Sequence, residues 1–584
     1  MKNVPLYEVR KISDLRDMIK QSADIYGDKA AFMVKDPRPA RQTVSSEAES
    51  EGPAEKSQPY LPVSYRQFDR DVDAFGTRLK SLGLTSARVA ILAETRYEWY
   101  VTYLATVNGV GVVVPLDKEL PQVEIESLLN RSYSDILVFS KSKKKDVDAI
   151  RQNIPTVKHF ICMDEVAGEP DYFWNWLAAG EQALAAGDKS FTEAAIDPEI
   201  LSILLFTSGT TAKSKAVMLS HRNICINLQA MCSMLYIGPD DVFLSVLPLH
   251  HTYECTCGFL CPIYRGCTVA VCEGLRHITK NMQESHCTMI LVVPLMVELF
   301  YKRIIKAATA DPKLAKKFKM GLKISNTLRK IGIDKRRDLF HKIHQNFGGK
   351  LRLIIAGGAA IDPKIIKGMQ DLGLHTVQGY GLTECAPILA LNRDVIYNNR
   401  AAGLPLPGVE IRIIDKDENG IGEIIGRGPN VMLGYYENEE ATREAIDDEV
   451  FFHTGDLGYL DKDNFVIITG RKKNVIITKN GKNIFPEEIE FLLARTGYVM
   501  ESLVTGLVDA EGETSVAAEI FPNMELIQEQ TGETDPKSET VRRLITDVVR
   551  KVNHSLAHYK YIKSFTVRDT EFEKTTSKKI KRKY

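Results

Sequence analysis

Short β-branched runs separated by amphipathic helical stretches recur along most of this chain, and no other feature constrains its fold as strongly. The runs "RVAILA", "VVVPL" and "DILVFS" come first, with "YEWYVTYLATVNG" and "PQVEIESLLNRS" between them. The rhythm resumes with "LSILLFTS", "VFLSVLPL", "TVAVCE", "MILVVP" and "LRLIIAGG". Parallel neighbours need a crossover, usually a helix, so the alternation predicts mainly parallel sheets covered by helices. Past Asn392 short strands with Gly-rich turns take over ("VEIRIID", "GEIIGRG", "VMLGYY", "FVIITGR"), and from about Asn474 strands mix with helices. The expected fold class is α/β: a large N-terminal body, a β-rich subdomain and a small α+β C-terminal domain.

At 584 residues the chain exceeds one compact core, so more than one domain is expected. Lys plus Arg and Asp plus Glu are both 76, so no global field draws nucleic acid, and any anion site must be local. The start, "MKNVPLYEVRKISDLRDMIK", lacks the apolar core of a signal peptide, and the most apolar window, "MILVVPLMVELFY", is short and carries Pro294 and Glu298. The expected location is cytoplasmic. All cysteines except Cys162 fall between Cys225 and Cys385, without a CxxC pair in the dense stretch "CTCGFLCPIYRGCTVAVC", and read as reduced core thiols rather than metal ligands. A polar, Pro- and Ser-rich insert at about 36–59 reads as a mobile surface loop between two strands.

The stretch "LLFTSGTTAKSKAVMLSH" runs a buried strand into Thr207, Ser208, Gly209, Thr210 and Thr211, with Lys213 and Lys215 close behind. Hydroxyls, backbone N–H groups and ammonium groups at this density suit a polyphosphate. The P-loop pattern is excluded, since it needs a glycine before the lysine and Ser or Thr after it, where Ser214 and Ala216 stand here. "NGVGVVVPL" lacks the third glycine of a dinucleotide fingerprint and reads as a buried strand.

Further motifs follow in order: "LPLHHTYE", "AGGAAI", "QGYGLTE", "HTGDLGYLD", "GRKKNVIITKNGKNIFPEEIE" and the tail "TTSKKIKR". With the phosphate stretch they resemble the adenylate-forming (AMP-binding) superfamily, and "PLHHTYE" with the spacing from Arg471 to Gly481 is most like its long-chain fatty acid acyl-CoA synthetases.

The resemblance implies a carboxylate attacking the α-phosphorus of ATP, followed by a thiol attacking the acyl-adenylate. Cofactors and substrates would be ATP, Mg²⁺, coenzyme A and a fatty acid, with no nucleic acid. By the same resemblance Thr207 to Thr211 and Lys215 would hold the β- and γ-phosphates, Thr383 the α-phosphate, and Glu384, with Thr207, would bind Mg²⁺. Gly357, Gly358 and Ala359 would let backbone approach adenine, with Tyr380 supplying a stacking ring and Gly379 and Gly381 beside it in the nucleotide site. Asp456 and Arg471 would take the ribose, His251 would lie near the acyl carboxylate, and Lys579 would bridge carboxylate and α-phosphate. A hinge at Lys473 would divide residues 1–472 from a mobile domain at 473–584, and Gly481 would admit the pantetheine arm of coenzyme A.

The match departs from the family at Ala212 and Ala216, where glycine is usual, at Ser214, where proline is common, and at Lys578, where glycine precedes the catalytic lysine. Two rival readings remain: transfer of the acyl group to a carrier-protein thiol, and an inactive nucleotide-binding relic. A weak peripheral contact of "KKIKRKY" or "PRPARQ" with an anionic membrane surface is a further expectation, opposed by the neutral net charge.

Overall fold

A computed structural model of the protein describes residues 4–40, 59–207, 214–477, 482–508, 514–574 and 580–582. Most of the insert (41–58) lies outside the described residues. So do Ser208, Gly209, Thr210, Thr211, Ala212, Gly481, Lys578 and Lys579.

The expected α/β architecture is present. Contacts divide the chain into two units, the first comprising Met1–Ile411, Gly426–Phe452 and Asp461–Val466, the second Arg412–Ile425, His453–Leu460 and Ile467–Tyr584.

The first unit carries two large sheets. One has the order Gly434–Tyr435, Lys215–Ser220, Leu201–Thr207, Gly111–Pro115, Ala87–Leu92, Ile136–Phe139, His159–Cys162. From Leu201–Thr207 to His159–Cys162 its neighbours are parallel, while Lys215–Ser220 turns back antiparallel on Leu201–Thr207. The other runs from Leu404–Pro405 through Ile388–Leu391, His375–Gly381, Leu353–Ala356, Met289–Val292, Val242–Ser245, Thr268–Val271 and Ala30–Val34 to Leu61–Ser64. Its six central strands are parallel, with antiparallel strands at both edges. Ile136–Phe139, Met289–Val292 and Leu353–Ala356 are buried at every position, as strands covered on both faces must be.

The window "MILVVPLMVELFY" is therefore a core strand followed by the helix Pro294–Thr309, with Pro294 at its first turn, where a missing N–H costs nothing. Among the described residues, no helix is long and apolar enough to cross a membrane. All ten cysteines are buried and unbridged, and burial pushes their thiols up where a shift is resolved, Cys255 to about 12 and Cys272 to about 11.

The second unit contains most of a four-stranded sheet, Glu410–Ile414, Gly422–Arg427, Phe452–Leu460 and Val466–Arg471 in that order. It continues into a three-stranded sheet of Val499–Val508, Thr514–Pro522 and Ile562–Val567, covered by the helices Pro486–Ala494 and Glu539–Asn553. Ser538 caps the latter helix by accepting from Val541 N–H, and its apolar stripe Val541, Ile545, Val548 and Val552 repeats at helical spacing into the core.

Candidate active site

The phosphate stretch begins on a hairpin. Leu201–Thr207 pairs with Lys215–Ser220 so that Thr207 lies opposite Lys215, and Thr207 Oγ1 donates to the Lys215 carbonyl at 3.4 Å. The second strand ends where Ser220 and Asn223 form a capping box for the helix His221–Met234. Ala216 is a buried strand residue opposite Phe206, so this departure from glycine falls in extended backbone that alanine adopts without cost.

Lys215 leads to Glu384. The Lys215 ammonium sits 4.6 Å from the ring centre of Tyr435, whose hydroxyl donates to Glu384 Oε1 at 3.0 Å. Burial first, and then the facing Glu384 carboxylate, raise the Tyr435 phenol above its ordinary value, so it stays a donor. Glu384 lies in the short turn Thr383–Cys385, and its carbonyl accepts from Met432 N–H at 2.8 Å. Two amides hold that turn, and a third holds the residues on either side of Asn430. Asn227 Nδ2 donates to the Cys385 and Ile388 carbonyls at 3.2 and 2.9 Å, Asn430 Nδ2 to the same two at 3.0 Å, and Asn223 Nδ2 to Pro429 and Val431 at 2.9 Å. Sequence reasoning missed these asparagines and Tyr435. Only the apolar context of an Asn inside "NICINLQ" hinted at a buried partner.

Gly379, Tyr380 and Gly381 end the strand His375–Gly381, with Tyr380 buried and half-buried Thr383 just beyond. A side chain at Gly381 would meet the Pro387 carbonyl oxygen at 1.8 Å, so the return strand can pass only a glycine. In "AGGAAI" Gly357 is buried against the Tyr253 ring, while Gly358 and Ala359 are exposed.

His251 and His250 open the turn before an unusual helix, wound as a π-helix over Tyr253–Leu260. Their rings lie 4.1 Å apart. Burial holds His250 well below the usual histidine range, so its 3.5 Å approach to Asp117 joins a neutral ring to a carboxylate, and His251 beside it is half-buried. Tyr253 donates to the Ile355 carbonyl at 3.0 Å, which ties this helix to the strand that leads into Gly357. Glu254 is wholly buried, and its carboxyl is pushed up to about 8 by that burial, partly offset by a 2.6 Å hydrogen bond from Ser245 Oγ. An acid inside "YECTCGFL" was the only sequence signal for it.

In the second unit Asp456, Arg471 and Lys473 come together. Arg471 Nε lies 2.7 Å from Asp456 Oδ1, and Asp456 N–H donates to Thr454 Oγ1 at 3.0 Å. Lys472 pairs with buried Glu423 at 2.6 Å. The Lys473 ammonium is held below its ordinary value by burial, then by Arg471 and Arg582, with Asp456 opposing. The tail is anchored on both sides of 575–579: Lys574 and Ile580 form an antiparallel bridge, and Arg582 grips both oxygens of Glu490 at 2.7 Å.

The first unit thus offers a cation, a hydroxyl and a hydrogen-bonded carboxylate near a hairpin, and the second a buried carboxylate with a guanidinium. Carboxylate and hydroxyl oxygens are the donor types that Mg²⁺ accepts alongside phosphate and water, so Glu384 and Thr207 fit the expected metal.

A sequence profile described as AMP-binding enzyme matches residues 44–436. The chain is 29% identical over 477 residues to long-chain-fatty-acid–CoA ligase 6 of Homo sapiens, covering 77% of this chain and 68% of that protein. It is 27% identical over 503 residues to long-chain-fatty-acid–CoA ligase 1 of Cavia porcellus, covering 79% and 70%. Its fold is similar to that of the anthranilate CoA ligase AuaEII crystallised with anthranoyl-AMP, with a TM-score of 0.74 at 20% identity over 100% of this chain and 97% of that one.

Proposed function

Because the chain belongs to the AMP-binding enzyme family, we propose that it activates a fatty acid with ATP and passes the acyl group to coenzyme A. The observation that carries this reading is the run Lys215, Tyr435, Glu384, which sets an ammonium and a carboxylate on one aromatic side chain beside Thr207.

In the first step an oxygen of the fatty acid carboxylate forms a bond to the α-phosphorus, and the bond to the pyrophosphate oxygen breaks. Two anions must meet, so neutralising charge is the main task. Lys215 would take the outer phosphates, and Glu384 with Thr207 would hold Mg²⁺, which supplies positive charge at the phosphate oxygens. Asp456 would accept the ribose hydroxyls while Arg471 orients it, and Lys579 would bridge the reacting oxygens. In the second step the coenzyme A sulfur attacks the acyl carbon, AMP leaves, and the thiol proton passes to solvent. A hinge at Lys473 would let 473–584 serve both steps.

The long-chain substrate rests on the named relatives and on the energetics of an apolar tail, worth about 0.8 kcal/mol per buried CH₂. The test is a panel of fatty acids of increasing length with ATP, Mg²⁺ and coenzyme A, read as AMP release. Activity that rises with chain length supports the proposal, whereas turnover confined to short or aromatic acids refutes its substrate.

A further inference from the structure

The helix Gln122–Arg131 ends beside the phosphate hairpin, and its last side chain reaches across to it. Arg131 Nη1 donates to Ser214 Oγ at 2.9 Å and Nη2 to the Ser214 carbonyl at 2.7 Å, while the guanidinium lies 5.2 Å from the ring centre of Phe206. Phe206 precedes Thr207 on one strand and Ser214 precedes Lys215 on the other, so one guanidinium touches both stems just at the Thr207–Lys215 pair. A cavity of about 300 Å³ lined by Arg131, Phe206, Ser214, Lys215 and Tyr436 opens here, and Arg131 adds a polar brace to stems that Phe206 and Ala216 also tie to the hydrophobic core.

We propose that Arg131 is a positioning residue for ATP: by holding Ser214 with two hydrogen bonds and lying over Phe206, it fixes the stems from which Lys215 meets the triphosphate. A proline at this position would fix its own backbone φ, whereas a serine does not. The planar fork of arginine supplies the missing constraint through two acceptors, one of which, the hydroxyl, exists only because the residue is serine. The inference rests on the reading of Lys215 as a phosphate ligand.

The test compares the parent protein with Arg131→Gln, Arg131→Lys and Ser214→Ala. ATP binding with Mg²⁺ is followed by calorimetry without acid, and KM values for ATP and acid are taken from pyrophosphate exchange. Arg131→Gln is expected to weaken ATP binding about tenfold, as loss of a charge-assisted pair does, and to raise the ATP KM equally, with acid KM and thermal midpoint unchanged. Arg131→Lys keeps the charge without the fork and recovers only part. Ser214→Ala keeps the backbone acceptor and loses less, and the double variant is no worse than Arg131→Gln. Equal ATP affinity in parent and Arg131→Gln overturns the role, as does a loss shared by ATP and acid together with a fallen midpoint. If the parent itself binds no ATP, the reading of the site falls, and the role of Arg131 with it.

Discussion

Arg471 Nε sits 2.7 Å from Asp456 Oδ1, joining the end of one strand to the middle of its neighbour in the sheet. The carboxylate is 6% exposed and the guanidinium 41%, so the pair turns a buried acid toward a solvent-facing partner. A carboxylate held in this way matches a vicinal diol. Asp456→Asn is expected to erase the preference for ATP over 2′-deoxy-ATP, a difference of about 1 to 2 kcal/mol or roughly tenfold in kcat/KM. Equal use of the two nucleotides by the parent would remove the ribose role.

Tyr435→Phe keeps the ring under the Lys215 ammonium but deletes the donor to Glu384. The Mg²⁺ concentration for half-maximal activity should change severalfold, with the ATP KM at saturating metal unchanged. A metal titration identical to the parent's would dissociate Glu384 from the cation.

Glu254 gives a pH signature. Its folded carboxyl is raised to about 8, above the usual value near 4.3 in an unfolded chain, so the native state binds the proton more tightly. The favourable contribution is complete at low pH and is lost as pH rises through about 8. Urea unfolding from pH 5 to 8.5 should show Glu254→Gln gaining on the parent with rising pH, by an amount on the order of a few kcal/mol at most. A constant difference across that range would mean that Glu254 is not the group responsible.

Gly381 and Gly358 separate two uses of glycine. Gly381→Ala forces a Cβ against the Pro387 carbonyl oxygen and should cost about 1 to 3 kcal/mol or more in unfolding free energy, since backbone must move. Gly358 has φ +89 with open space around it, so Gly358→Ala meets only backbone strain, about 1 to 2 kcal/mol. Ranking the two by urea midpoint checks the order.

Most parallel strands of the two large sheets were legible as short β-branched runs between helical stretches, whereas His159–Cys162, Lys215–Ser220, His375–Gly381 and Ile388–Leu391 were not, and the motif residues stood out because their order carries the family pattern. What brings those residues together was not legible. Arg131 and Ser214 are 83 residues apart, Asn227 and Ile388 161, and neither spacing leaves a periodic trace. The four-stranded sheet shows the same limit: three of its strands were legible and Phe452–Leu460 was not, and contacts group Arg412–Ile425 and His453–Leu460 with the C-terminal residues, a grouping that pairing creates and local pattern does not encode.

The central claim is that this chain forms an acyl-adenylate, and exchange of labelled pyrophosphate into ATP measures that step alone. Exchange that requires a fatty acid, and that falls about 10² to 10³-fold in Lys579→Ala as loss of a transition-state donor should, is the predicted result. Exchange independent of any fatty acid, or full exchange in Lys579→Ala, would contradict it.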